Sequence, residues 1–195
     1  MLEFLAFAQQ CAPHVHPDTL QRVVHVESSF NPYAIGVVGN RLERQPRNAA
    51  EAIATAQWLE RHGFNYSVGL AQVNKSNFAK YGLHTLERAF EPCANLRAGA
   101  DILADCYARA LRSKPDEQVA LRAAISCYYS GNFTTGFKHG YVLKVVNGTA
   151  VSPTDERHTA TKAAKKNDRE VMSQSTTRPE AVPVDPHTPQ SALMF

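Results

Sequence analysis

The most restrictive feature of the sequence is a predicted helix within residues 18–32 that carries a carboxyl group on its apolar face. Leu20, Val23 and Val24 follow the i, i+3, i+4 spacing of a buried helix stripe. The next position on that stripe is Glu27. Burial disfavours the ionised form of a carboxyl group and raises its pKa. A carboxyl group that stays protonated near neutral pH can donate a proton, so Glu27 is a candidate general acid.

The ends of this helix are also predicted from local signals. Asp18, followed three residues later by Gln21, resembles a capping box and is expected to be the N-cap. Asn31 followed by Pro32 is expected to end the helix, because proline disfavours helical geometry in the residue before it. Two alternatives for Glu27 stay open at this point. It could be a surface residue or half of a buried ion pair, since structural charge networks also perturb pKa values.

Composition restricts the class of protein. A chain of 195 residues suits one domain with an appendage. The net charge of +3 and the lack of a basic, aromatic-rich pattern argue against a nucleic-acid partner. No apolar run approaches a membrane span. Residues 2–8 are apolar but short, and no Lys or Arg precedes Arg22, so they form a poor signal peptide. We expect export by another route or a start codon further upstream.

Four cysteines add a second restriction. Their spacing lacks the close pairs that a zinc site needs, and we expect neither a metal nor a cofactor. An even number of cysteines permits two disulfides in an oxidising compartment, in any of three pairings. The alternative is buried free thiols. The residues are Cys11, Cys93, Cys106 and Cys127.

Apolar periodicity predicts a mainly helical domain over residues 1–148. A hairpin is expected within residues 33–42, and residues 64–74 fit an extended segment or turn that lines a cleft. From residue 149 to 195 the composition turns to Thr, Ser, Pro and mixed charge, which predicts a disordered tail. Besides the Glu27 helix, we expect helices over residues 2–11, 48–62, 76–81, 93–112, 116–130 and 137–146, and a turn over 86–90.

Four short motifs occur in a characteristic order along the chain, at Val26–Pro32, Ser67–Asn74, Asn95–Gly99 and Cys127–Gly131. Together they resemble the lytic transglycosylases of the goose-type lysozyme superfamily, over roughly residues 10–146. The continuation after Glu27 and the stretch after Tyr128 look most like the VirB-type specialised lytic transglycosylases of type IV secretion systems. Two departures are Ala71 in place of a usual Met and Tyr129 in place of a usual Asn.

The resemblance implies an α+β lysozyme-like fold, with a helical bundle and a small β-hairpin region lining a glycan cleft. It implies that Glu27 is the catalytic acid and that Tyr128 supplies a catalytic hydroxyl close to it. Read from the residues alone, Tyr128 could instead be a core tyrosine bonded to backbone. Gln72 and Asn95 could be turn or cap residues. The substrate-binding residues that the resemblance implies are Ser28, Leu70, Gln72, Asn95 and Tyr129.

The activity implied is cleavage of the bond between N-acetylmuramic acid and N-acetylglucosamine in peptidoglycan, with a 1,6-anhydro product. Such an enzyme would open the cell wall locally, in the periplasm, for assembly of a secretion channel. Its partners would be glycan strands and, through the tail, other secretion subunits, and we expect a monomer. Two rival functions are a muramidase that hydrolyses the same bond and a non-catalytic glycan-binding scaffold.

Overall fold

The helical class predicted from the sequence is confirmed by a computed structural model, which describes residues 2–148 and 184–185. The helices are α1 (Leu2–Cys11), α2 (Pro17–Ser28), α3 (Ala49–Arg61), α4 (Leu86–Phe90), α5 (Pro92–Leu111), α6 (Glu117–Ser130), α7 (Thr135–Lys138) and α8 (Tyr141–Asn147). The strands are β1 (Ile35–Val37), β2 (Arg41–Leu42), β3 (Tyr66–Val68), β4 (Val73–Asn74) and β5 (Val184–Asp185). None of the helices in the described ranges has the length and apolar composition of a membrane span.

A small antiparallel sheet with the strand order β1-β3-β4 forms one side of the fold. Ile35 lies opposite Val68, and Val68 in turn lies opposite Val73. The hairpin predicted within residues 33–42 is only partly correct. The chain does reverse there, through a single bridge between Val37 and Asn40, but the ladder partner of β1 is β3. Pairing with β3 joins β1 to the most deeply buried strand of the sheet.

Helix α2 lies between two apolar clusters, which fixes the direction of its side chains. Leu20 and Val24 belong to the cluster formed with α1 and α5. Val23 belongs to the cluster formed with α5, α6 and α8. A third cluster packs α3 and α4 against the sheet. Because α2 is covered on both sides, Glu27 in its last turn is buried, whereas His25, Val26 and Ser28 are only half-buried.

The predicted ends of α2 are wrong at both termini. The N-cap is His16, not Asp18: Pro17 takes the first helical position, and the His16 ring accepts the Asp18 N–H at 3.3 Å. The helix stops at Ser28, before Asn31, because Ser29 and the next residue both take left-handed φ angles of 50° and 64°. Proline at the first helical position is favourable, since its missing N–H has no helical partner there.

Two other helices differ from their predictions. The segment predicted as a helix over residues 76–81 contains only a 3-10 turn (Lys75–Asn77). The helix predicted over residues 137–146 is divided into α7 and α8 at Gly140, whose φ of 72° is left-handed. The glycine allows a change of direction that places Tyr141 at the start of α8.

The four cysteines form two disulfides, so of the two alternatives left open by the sequence the structure has the paired one. Cys11 pairs with Cys93 and links α1 to α5, and Cys106 pairs with Cys127 and links α5 to α6. The Cα–Cα distances are 5.3 and 5.8 Å. The two crosslinks therefore fix the positions of α1 and α6 relative to α5.

The tail predicted for residues 149–195 lies outside the described residues, apart from Val184 and Asp185. These two residues form β5, which pairs antiparallel with β2, with Arg41 opposite Asp185 and Leu42 opposite Val184. For the rest of residues 149–195 the disordered tail stays a prediction.

Candidate active site

Glu27 lies in the last turn of α2 and is 7% exposed. The loss of water raises the pKa of this carboxyl to about 8, and a hydrogen bond from Tyr141 offsets part of that rise. The buried, protonated carboxyl predicted from the apolar stripe is thus present. Its burial rules out the surface alternative, and among the described residues Glu27 is bound to Tyr141 and forms no ion pair.

Tyr141 is the residue that the sequence analysis missed. Its hydroxyl donates a hydrogen bond to Glu27 Oε1, across the contact between α8 and α2. Glu27 Oε2 is buried and has no hydrogen-bond partner among the described residues. The neutral acid can therefore carry its proton on Oε2 while Tyr141 holds Oε1. A signal existed in the sequence, since a tyrosine stands on an otherwise apolar face with Val142 and Val145.

Tyr128 is buried on α6, and its hydroxyl donates to the backbone carbonyl of Ala71. Burial and the nearby Glu27 charge raise the pKa of Tyr128 well above its usual range. Tyr128 is therefore close to Glu27, as the resemblance implies. Its hydroxyl nevertheless bonds to backbone, as expected for a core tyrosine. Gly99 allows this packing, because an added Cβ would lie 2.4 Å from the Ala71 side chain and 3.1 Å from the Tyr128 hydroxyl.

Tyr129 is also buried and supports Tyr141. The two rings stack with their centroids 4.6 Å apart and an interplanar angle of 19°. The Tyr129 hydroxyl lies 3.2 Å from Nδ1 of His139. Tyr129 stands where the resembled transglycosylases usually have Asn. Its ring thus adds an aromatic surface against Tyr141, which binds Glu27.

Ser28 and Leu70 join the end of α2 to the turn between β3 and β4. The Ser28 hydroxyl donates to the Leu70 carbonyl at 2.8 Å. The Leu70 side chain is buried in the cluster of α1, α2 and α5. Both residues therefore fix the position of Glu27 relative to the sheet.

Gln72 and Asn95 hold the same turn from inside. Gln72 has a left-handed φ of 47° and donates to the carbonyls of Ala34 and Gly69 at 3.0 and 2.9 Å. The Asn95 side chain is 0% exposed, and its Oδ1 accepts the Ala71 N–H at 2.8 Å.

Asn95 also donates through its Nδ2, to the carbonyls of Val68 and Ala89 at 2.9 and 2.8 Å. These three bonds use both Nδ2 hydrogens and one lone pair of Oδ1 inside the protein, so nothing in the structure supports the expected sugar contact of Asn95. It is not the cap of α5 either, since the Glu91 side chain fills that role.

We expect Asn95→Asp to destabilise the fold by about 4 kcal/mol or more, because the carboxylate cannot donate to either carbonyl and is itself buried. Asn132→Asp is the matched control, since Asn132 is exposed and uses its Oδ1 mainly as an acceptor. Its expected effect is within about 0.5 kcal/mol. Chemical denaturation measures both, and a stable Asn95→Asp variant would contradict the internal role.

Other carboxyl groups in the described ranges are placed differently. Glu51 forms an ion pair with Arg44 at 2.7 Å, and the Arg44 bond lowers the pKa of Glu51 to about 2. Glu60 accepts the Tyr66 hydroxyl at 2.9 Å, and Glu43 is exposed. Residues 2–148 contain no cluster of three or more metal-ligating side chains.

Residues 4–144 match the family model described as the transglycosylase SLT domain. The match spans more than half of the chain and contains Glu27, Tyr128 and Tyr141. The chain therefore belongs to the transglycosylase SLT domain family.

Curated relatives confirm the expected resemblance to VirB-type proteins. The type IV secretion system protein virB1 of Brucella abortus (strain 2308) is 58% identical over 158 residues, which cover 78% of this chain and 66% of the relative. The protein virB1 of Agrobacterium fabrum (strain C58) is 41% identical over 145 residues, which cover 73% of this chain and 58% of the relative. The chain thus spans about two thirds of the Brucella protein. No solved structure matches the chain significantly.

Proposed function

We propose that the chain is a peptidoglycan lytic transglycosylase. The observation that carries this proposal is the buried carboxyl of Glu27, which stays protonated near neutral pH and has one oxygen without a partner among the described residues. Such a group is suited to protonate a leaving oxygen in a site that excludes water. Membership of the family supports the same activity.

In the proposed reaction, Glu27 donates its proton to the oxygen between N-acetylmuramic acid and N-acetylglucosamine. The C1–O bond breaks, and the acetamido group of the muramic acid stabilises the cationic centre. The carboxylate of Glu27 then removes the proton from the muramic C6 hydroxyl, whose oxygen bonds to C1 and closes the 1,6-anhydro ring. Glu27 ends the cycle protonated, and no water is consumed.

The positions of the other carboxyl groups support a mechanism with a single acid. Ordinary glycoside hydrolysis uses a second carboxylate about 5–9.5 Å from the first. Within residues 2–148, Glu27 is the one carboxyl side chain that is buried. Glu51 and Glu60 are each bound to another side chain.

We assign Tyr141 as the residue that orients Glu27 and Tyr128 as a hydroxyl-bearing wall beside it. Tyr129 acts by holding the ring of Tyr141. The remaining residues that the resemblance placed on substrate act indirectly, because three of them use polar side chains on the backbone and the fourth, Leu70, accepts the Ser28 hydroxyl through its carbonyl. They are Ser28, Leu70, Gln72 and Asn95.

The names of the virB1 relatives support a role in a type IV secretion system. In that role the chain would work in the periplasm and open the glycan locally for the channel. The two disulfides agree with an oxidising compartment. We retain the proposals that residues 149–195 contact other secretion subunits and that the chain is a monomer.

Mass spectrometry of the fragments released from purified sacculi tests the proposed activity. We expect muropeptides with 1,6-anhydro ends. Reducing ends would instead show the rival muramidase. Binding to sacculi without release of fragments would show the rival scaffold.

The pH dependence of turnover should follow the protonation of Glu27. Activity needs the acid form, so kcat/KM should fall as pH rises through about 8. The Tyr141 bond lowers this pKa, so Tyr141→Phe should move the alkaline limb to higher pH while lowering the maximal rate. Tyr107→Phe is a suitable control, since Tyr107 lies on α5 and packs in the cluster around α6 without contacting Glu27. An unmoved limb in Tyr141→Phe would contradict the role of Tyr141.

A further inference from the structure

A groove with a volume of about 590 Å³ lies between the segment that follows β4 and the paired helices α5 and α6. It adjoins the candidate active site, because Tyr128 lines it and also lies within the electrostatic reach of Glu27. Its charged and phenolic side chains are Lys80, Tyr81, Asp105, Arg109, Arg112 and Tyr128.

The charges that line the groove are unbalanced. Lys80 Nζ binds Asp105 Oδ2 at 2.8 Å, and the Tyr81 hydroxyl donates to the same oxygen at 2.8 Å. The Lys80 ammonium holds the pKa of Asp105 below its ordinary value, so the single acid is neutralised within the groove. Arg109 lies within the electrostatic reach of Asp105, but neither Arg109 nor Arg112 forms an ion pair within 4.0 Å in the described ranges, so the groove keeps an excess of positive charge.

The two arginines are spaced i, i+3 at the end of α5, so they are neighbours on the helix surface. Arg109 is held in place, since one of its Nη atoms donates to the Gly131 carbonyl at 3.3 Å and its guanidinium lies 5.5 Å from the Phe133 ring centre. The forked donors of an arginine suit a carboxylate, which can accept two parallel hydrogen bonds.

We propose that this groove binds the carboxylates of the peptide stem of peptidoglycan. The inference rests on the proposed function and names the part of the substrate that lies beside the reacting sugar. The glycan backbone is largely uncharged, whereas the stem is attached to the lactyl group of muramic acid and carries free carboxylates. A strand with its reacting bond at Glu27 would bring a stem close to Tyr128, which is one of the residues that line the cationic groove.

Calorimetry on the full chain tests this inference with two soluble probes. One is the disaccharide of N-acetylglucosamine and N-acetylmuramic acid with its tetrapeptide, and the other is the same disaccharide with its lactyl carboxyl capped as a methylamide in place of the peptide, so that it carries no carboxylate. We expect the probe with the peptide to bind about tenfold more tightly than the probe without it. This difference in affinity should become smaller as the salt concentration rises. Arg109→Gln combined with Arg112→Gln should reduce the affinity for the first probe to that for the second.

Arg122→Gln is the matched control, because Arg122 is an exposed arginine on α6 outside the groove, and it should keep the wild-type difference. Equal wild-type affinities for the two probes would overturn the inference. An Arg109→Gln, Arg112→Gln variant that loses affinity equally for both probes would also overturn it, since the groove would then bind the sugar. A sugar-free oligoglutamate that binds as tightly as the first probe would assign the groove to an acidic protein segment instead. Release of anhydro fragments from peptide-free strands, followed separately, tests the proposed function itself.

Discussion

Glu27→Gln should abolish turnover and also stabilise the folded chain at neutral and alkaline pH. Glutamine fills nearly the same volume and keeps an oxygen that accepts the Tyr141 hydroxyl, but it cannot donate the required proton. Loss of a general acid costs about 100- to 10,000-fold in rate. Sugar binding should survive, because the amide leaves the surroundings of residue 27 unchanged.

The gain in stability follows from the pKa of the buried carboxyl. In the unfolded chain the pKa of Glu27 is near its ordinary value of 4.5, whereas in the folded chain it is about 8. The folded state is therefore penalised as pH rises through this window, by about 3 kcal/mol at pH 7 and about 5 kcal/mol above pH 8. Below pH 4.5 both states carry the neutral acid, and the penalty vanishes. Glu27→Gln has no ionisable group at this position, so its folded state does not lose this stability as pH rises.

Denaturation of both proteins at pH 4, 7 and 9 measures the difference. We expect the stability gap to widen with pH and to close at pH 4. Glu43→Gln, which replaces an exposed carboxyl, should show no such trend. A gap that stays constant with pH, or an active Glu27→Gln enzyme, would refute the assignment of a protonated acid at this position.

Removal of the Cys11–Cys93 disulfide by alanine substitution of both residues should destabilise the chain by about 4.5 kcal/mol. The two cysteines are separated by 82 residues, and the chain-entropy model assigns a larger stabilisation to a longer closed loop. The Cys106–Cys127 disulfide closes 21 residues, so its removal should cost only about 3.3 kcal/mol.

The two double variants are controls for each other, since both crosslinks attach to α5. Urea denaturation of each, with the wild type under reducing and oxidising conditions, gives the comparison. Reduced wild type should be less stable than either variant. Equal losses for the two disulfides would show that strain or packing, rather than loop length, sets their contributions.

The catalytic candidate could be found from the sequence because its signal is local. A carboxyl at i+7 on an apolar helix stripe is buried whenever that stripe is covered, and the structure covers it on two sides. The helix ends were less predictable. The helix is capped by His16 and not by Asp18, because Pro17 is favourable at the first helical position. The spacing of Asp18 and Gln21 alone does not show this preference of proline.

The amino-acid sequence by itself determined that the chain is mainly helical, that it carries a buried acid at position 27, and which family it belongs to. Periodicity and short motifs encode these features within a few turns of chain. Only the tertiary structure decided that Tyr141 binds the acid, that Asn95 holds the β3–β4 turn, and which cysteines pair. Each of these contacts joins residues separated by more than 20 positions, and their proximity depends on how the helices pack.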